Sequence, residues 1–551
     1  MMNKLLILFV LLTFGSIAQV KLSENFEVEA GKPYQVIDAP FKYYFNDSEN
    51  NIISVKIRGV YLTIQKFSST EMEELDRKMY KDMPKGVVIQ KLMEVEGGLV
   101  ILFEQYDRKT KTSTLYSKKI NYDNLSAEKP KKILTTKRPV IKGWLNEEGN
   151  QPVIPGANSN WTFGVKFNIH QSFDKSKILI QYRLKPNSRR DKINKDELGF
   201  WVFDNEFQLL WSKEELMPYT EAEMNNLAYT ISSKGEIFML AQLNETKSFE
   251  LLKVTEDNAI TTSKLDIENG IVFEKMKLIE STNGDITCAG YYANGIDIKF
   301  NATFDGFSSS TSFNCDGIYS FKVTEDGDVS DVWKIPFSME LKELYLNERQ
   351  QKKLNEREEK GNAGIPDLKM LEFYTQKDGS YIIVGEQQYM RSELYGPSTS
   401  NIYHYMSVII CKISPDGDLL WIEKIGKNQF APKGDLYNGF YKGQMSIKYI
   451  RGNSKHYILY VDNPKNAALQ TNQVPERHKS GSGGFITAVE ILDADGEFSR
   501  HTIAELVDLD GVRAYQFNIT RICEVNDNEF MMEVYKKKKE DAMIKLTLLK
   551  D

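Results

Sequence analysis

The chain has 551 residues, with 71 Lys and Arg against 77 Asp and Glu, and 28 Tyr and 29 Phe among its apolar side chains. Its net charge of −6 is small and scattered, which gives no reason to expect nucleic acid or an anionic membrane surface as a partner. A chain of this length would divide into three or four ordinary domains, unless repeated units bury their faces against one another.

The first 18 residues have a basic start at Lys4, an apolar run from Leu5 and a small-x-small site, Ser16-Ile17-Ala18, before Gln19. That pattern describes a secretory signal peptide. The run is shorter than the roughly 20 residues a membrane-spanning helix needs, and no Cys near the site points to a lipid anchor. The mature chain, 19–551, is therefore expected to be exported, to the periplasm, the cell surface or beyond, and to have no membrane span. Export permits disulfides. Of Cys288, Cys315, Cys411 and Cys523, only the first two are close in sequence. A Cys288–Cys315 bridge and four buried free thiols are the two readings.

From residue 40 onward, apolar runs alternate with turns rich in Asp, Asn and Gly. Thr70-Glu71-Met72-Glu73 has a capping-box pattern and predicts a short helix to about Tyr80. Trp144 and Trp161 flank a loop-like stretch at 146–160 and are candidates for contact with a small ligand or a partner. Residues 185–197 and 477–484 read as loops. Residues 338–360 predict an inserted helix, with Leu341, Leu344 and Tyr345 apolar on an otherwise polar segment. Such a helix is exposed or waits for a cover, so those three residues are candidate partner contacts. Gly361 and Pro366 end it.

One phrase recurs: an apolar strand end, an Asp/Gly/Asn turn, then a second apolar run. It begins at Phe203, Val254, Val323, Ile413 and Leu492, with intervals of 51, 69, 90 and 79 residues. A second hairpin signal precedes or follows each copy, at 231–238, 279–286, 373–381 and 522–530. Asn or Asp before Gly supplies the positive φ of tight hairpins. Two hairpins make four strands, and four-stranded units stacked side by side make a β-propeller. Units near 40–80, 87–135, 162–215, 226–266, 272–337, 367–426, 440–505 and 513–551 give seven or eight blades in one all-β domain. A ring leaves no open edge if an N-terminal segment completes the last blade, and 34–37 is the candidate.

The turns Asp326-Gly327-Asp328 and Asp416-Gly417-Asp418 lack the ligand spacing of a calcium loop. The five histidines show no HxH or HExxH pair. There is no GxSxG elbow, and Ser480-Gly481-Ser482-Gly483-Gly484 is not a phosphate loop. No catalytic residue, metal ligand or cofactor is assigned. Trp201, Trp211, Trp333 and Trp421 lie on or beside the repeat, and their recurrence reads as packing between repeats.

The phrase Ile413-Ser414-Pro415-Asp416-Gly417-Asp418-Leu419-Leu420-Trp421 resembles the repeat of secreted bacterial β-propellers, including PQQ-like repeat proteins. The resemblance covers 200–551 clearly and 40–200 weakly. It implies the fold; the pocket ligands of the quinone-binding members have no match here. The expected function is a protein-binding or scaffold module of the cell envelope. The alternatives are a hydrolase or lyase acting on a glycan or peptide in the central funnel, and a sensor or lectin-like domain using Trp144 or Trp161.

Overall fold

The computed structural model describes residues 22–549, apart from 142–165, 187–192, 433–443 and short gaps at 258, 269, 296, 304–305, 325, 396–397, 453, 482 and 517. Eight antiparallel four-stranded sheets follow one another along the chain. Blades 1 to 7 occupy 41–80, 88–135, 167–220, 224–265, 272–336, 368–425 and 448–505. Blade 8 takes three strands from 523–548 and its fourth from the N-terminus. The fold is an eight-bladed β-propeller, with the blade boundaries read from the sequence largely as found.

Burial explains the strand sequences. The second strand of a blade is covered on both faces by its neighbours, so Ile237–Leu243 is apolar almost throughout and its first five residues are buried. The outermost strand has a wet edge, so Thr261–Leu265 buries only Leu265. Among the described residues each seam between blades has its own apolar cluster. The largest joins blades 7 and 8 through Leu459, Ile486, Phe530 and Ile544. The smallest joins blades 8 and 1 through Ile52, Phe67, Met72, Val525, Met531 and Met543.

The ring is closed by Phe26–Ala30, which pairs antiparallel with Glu540–Leu548 from Phe26↔Leu548 to Ala30↔Ile544. The expected closing segment, 34–37, contributes less: Tyr34–Gln35 pairs with Asp541 and Glu540 at the same strand's far end. The helix predicted from Thr70 is absent. Glu74–Tyr80 is the outer strand of blade 1, and Met72 is a left-handed turn residue with φ 56°. Ser68 Oγ accepts from the amides of Thr70 and Glu71, so the polar residues close a turn instead of opening a helix. The loop expected at 185–197 gives way to a strand at Lys195; its residues 187–192 lie outside the described residues. His478–Lys479 is also a strand, parallel to Gln429–Pro432. All four cysteines are free thiols. Cys288 lies in a strand of blade 5, and Cys315 in a short strand of that blade's insertion.

The turns sort to opposite faces. Links between first and second and between third and fourth strands are short, the longest being 122–130. This is the turn face. Links between second and third strands, and from blade to blade, emerge opposite. There the chain inserts a hairpin of Asp297–Thr303 and Gly306–Ser312, a long extension of Tyr381–Tyr395 and Ser398–Ile413, the segment 463–484, and two helices. This is the decorated face.

Candidate functional site

The inserted helix is broken into two: α1, Met339–Glu343, and α2, Glu348–Glu358. Ser338 caps α1 by accepting from Leu341 N at 3.2 Å. Asn347 and Gln350 form a reciprocal capping box at 3.0 Å on α2, which satisfies amides that would otherwise be orphaned. Tyr345 lies in the break with φ 61°, and its amide donates to Thr471 O at 2.7 Å. Its ring covers Gly426 so closely that a Cβ there would stand 2.5 Å from it. Leu341 is buried in the core of blades 5 and 6, and Leu344 packs against it. The three residues expected to meet a partner are therefore turned into the chain's own core, because the break lets α1 seat on the blades.

Lys424 fixes this seat. Its ammonium donates to Lys342 O at 3.0 Å and Leu344 O at 2.9 Å, where the last carbonyls of a helix favour a cation. Burial brings it down to about 8. Beneath lies a buried ionic floor from blades 6 and 7. Lys427 meets Glu386 at 2.6 Å, both side chains without solvent exposure. Ser446 and Gln388 also donate to that carboxylate, each at 2.6 Å. Arg500 pairs with Asp462 at 3.3 Å and donates to Gly426 O at 3.0 Å. Burial raises Asp462, with Arg500 and Asn466 opposing it. His478 is buried beside Lys427, and burial lowers its imidazole to about 4. The Lys427–Glu386 and Arg500–Asp462 ions are matched to one another, so their work is to hold the insertions in place. The outer face of α2 remains in solvent, with Glu348, Arg349, Lys352, Lys353 and Glu356 exposed.

Two other groupings went unseen in the sequence. On the decorated side of blade 3, Arg183 clamps Asp196 at 2.6 Å and Glu221 at 2.7 Å. Burial, ahead of the pull of Arg183, raises Asp196 to about 6. Near the turn face of the channel, Glu94 of blade 2 and Glu524 of blade 8 both act on Cys523. Burial raises both carboxyls, and Lys448 and Arg451 of blade 7 act on Glu524. The residues come from separate blades with no fixed spacing, so only the fold brings them together. Among the described residues no group of three His, Cys, Asp or Glu is placed to hold a metal ion.

Three repeat tryptophans pack as one set. Trp211, Trp333 and Trp421, on the outer strands of blades 3, 5 and 6, lie against Gly235, Gly417 and Gly496 in turns of the following blade. At the last of these seams Trp421 Nε1 donates to Asp493 O at 2.9 Å. The Asp493 carboxylate takes Lys412 at 2.7 Å, Gln376 at 2.7 Å and His456 at 2.8 Å. Burial lowers the His456 imidazole against the opposing pull of Asp493. Beside Trp211 a shallow cavity of about 500 Å³ remains, lined by Leu210, Lys234, Glu236, Thr255 and Asp257. Trp201 donates to Tyr182 within its own blade at 3.2 Å. Trp144 and Trp161 lie outside the described residues.

No family model matches the chain, and no curated protein matches it. Among solved structures, the β-propeller domain of the Trilobed protease from Pyrococcus furiosus is 12% identical at a TM-score of 0.32, over 86% of this chain and 98% of that one. The WD40 domain of SCAP from fission yeast is 6% identical at a TM-score of 0.35, over 96% and 97%. Polysaccharide lyase Uly1 is 9% identical at 0.34, over 84% and 90%. Likenesses this distant carry nothing about ligand or reaction, and the propeller is read from this chain's own sheets.

Proposed function

We propose that the protein is an exported binding module that presents its decorated face to a protein partner of the cell envelope, after removal of 1–18. The observation that supports this is the sorting of insertions. The turn face keeps short links, while helices, hairpins and the 463–484 segment leave from the other side. Loops held on a rigid scaffold are the usual place for recognition. Within that face α2 is the contact element, because its charged outer side is exposed while α1 and Tyr345 anchor it. The test is capture of a stoichiometric partner by the chain from Gln19, compared with a Lys352→Glu/Lys353→Glu variant. Capture that survives both charge reversals counts against this reading. Deletion of 338–360 is a poorer test, since it also removes Leu341 and Tyr345 from the core.

A second reading, a hydrolase or lyase acting on a glycan or peptide in the funnel, draws on Glu94 and Glu524, two carboxyls raised by burial on different blades. A pH-dependent turnover removed by Glu524→Gln, with partner capture unchanged, would favour it.

A further inference from the structure

The second-to-third-strand turn of blade 8 runs Lys536-Lys537-Lys538-Lys539. Lys537, Lys538 and Lys539 have φ of 95°, 54° and 64°. Strand pairing closes at Lys537↔Glu540, so Lys538 and Lys539 occupy the central pair of a two-residue hairpin. Left-handed backbone at both central positions is the geometry that Asn-Gly fills without strain. Lysine is a poor choice there for stability, and three in a row is a poorer one.

The turn is also gripped from both sides. Val36 N donates to Lys539 O at 2.9 Å. Across the other edge, Tyr515 N donates to Tyr535 O at 2.9 Å and Tyr535 N to Gln516 O at 2.7 Å. Two cations approach the Tyr515 ring, Arg513 at 5.1 Å and Lys537 at 4.3 Å from its centre. Lys537, Lys538, Lys539 and Arg513 are exposed. Against them stand Glu540, 3.7 Å from Lys536, Asp38, paired with Arg58 of the next blade at 2.7 Å, and the exposed Asp508 and Asp510 of the segment that carries Arg513, so the basic groups outnumber the acidic ones. The equivalent turn of blade 1, next around the ring, carries Tyr61, 41% exposed, with Lys81 5.4 Å from its ring. An acidic chain thus sets a cationic, aromatic-bearing rim on the decorated side of blades 8 and 1.

We propose that this rim docks on a bilayer surface rich in anionic phosphate headgroups. The lysines are borne on an exposed hairpin tip, which suits many phosphates spread over a plane better than one small anion. Lysine acts as a point charge toward phosphate. Clusters of at least four basic residues bind anionic lipid, and Tyr beside them belongs at the headgroup level. The small net charge conceals this local concentration.

The test is sedimentation of the chain from Gln19 with vesicles of phosphatidylcholine alone and with roughly a third phosphatidylglycerol. All eight blades lie within residues 26–548, so this form keeps the ring and lacks the apolar leader. Binding is expected to the anionic vesicles only, and to weaken with added salt. The Lys538→Asn/Lys539→Gly variant installs the favoured turn pair, so its thermal midpoint should hold or rise, while vesicle binding falls roughly tenfold to thirtyfold. Equal binding to both vesicle types, or unchanged binding by the variant, overturns the proposal. So does full release by millimolar glycerol phosphate, which would mark a small-anion site, and so does tighter binding to single-stranded RNA than to the anionic vesicles.

Discussion

On the turn face, Trp333 presses on Gly417 and Trp421 on Gly496 across neighbouring blades, and Asp493 gathers Lys412, His456 and Gln376 into one knot. On the decorated face, Lys424 and the Lys427–Glu386 pair hold insertions whose outer sides remain in water. The first face spends its side chains on joining blades, the second on presenting added segments. If the decorated face is the recognition surface proposed above, stability and recognition lie at opposite ends of the same strands, and substitutions should separate them.

The largest effect is expected at Gly417. A Cβ there would stand 2.0 Å from the Trp333 ring, and the backbone has φ +88°. Gly417→Val should destabilise by about 3 kcal/mol in denaturant unfolding, with partner capture unchanged in the folded fraction. Asp493→Ala comes next, at about 2–3 kcal/mol, because it strands buried Lys412 and His456. At the other extreme, Lys352→Glu/Lys353→Glu on α2 should leave unfolding within about 0.5 kcal/mol of the parent and abolish capture.

The closing seam is where the two faces blur. It has the smallest apolar cluster, supplemented by ions toward the decorated side. Lys42 meets Glu533 at 2.5 Å and Asp541 at 3.3 Å, Lys56 meets Glu533, and Tyr34 donates to Glu533 at 2.7 Å. Tyr44 also bonds Glu533, and Arg521 acts on both Lys42 and Tyr44. Burial would raise Glu533, but Lys56 and Lys42 overcome it and hold it low. Burial, then the charge of Glu533, raises Asp541 to about 7. Because Asp541 binds its proton more tightly folded than unfolded, its contribution to stability falls as pH rises from about 4 to about 7. The slope of unfolding free energy between pH 5 and 7.5 should be shallower in Asp541→Asn, which fixes the neutral form. An unchanged slope would remove Asp541 from the account.

The repeat was legible because tight turns need specific chemistry: Gly327, Gly417 and Gly496 all take the positive φ their Asp-Gly turns imply. The outer strand Glu74–Tyr80 is illegible in the sequence because none of its residues is fully buried and its apolar Leu75 and Met79 face solvent, which leaves no apolar alternation to see. The closing strand is hard to see in the sequence because Phe26–Ala30 has a single buried residue, Phe26. The polar groupings were illegible for a different reason. Lys42 and Glu533 lie far apart in sequence, as do Glu94 and Cys523, and only ring closure brings each pair within reach.

The most direct measurement is parallel capture from envelope extract by three forms of the chain from Gln19: the parent, the Lys352→Glu/Lys353→Glu variant, and an Asp493→Ala variant held at a temperature where it is folded. The account predicts one stoichiometric partner with the parent and with Asp493→Ala, and none with the α2 variant. Equal capture by all three, or loss with Asp493→Ala alone, would contradict it.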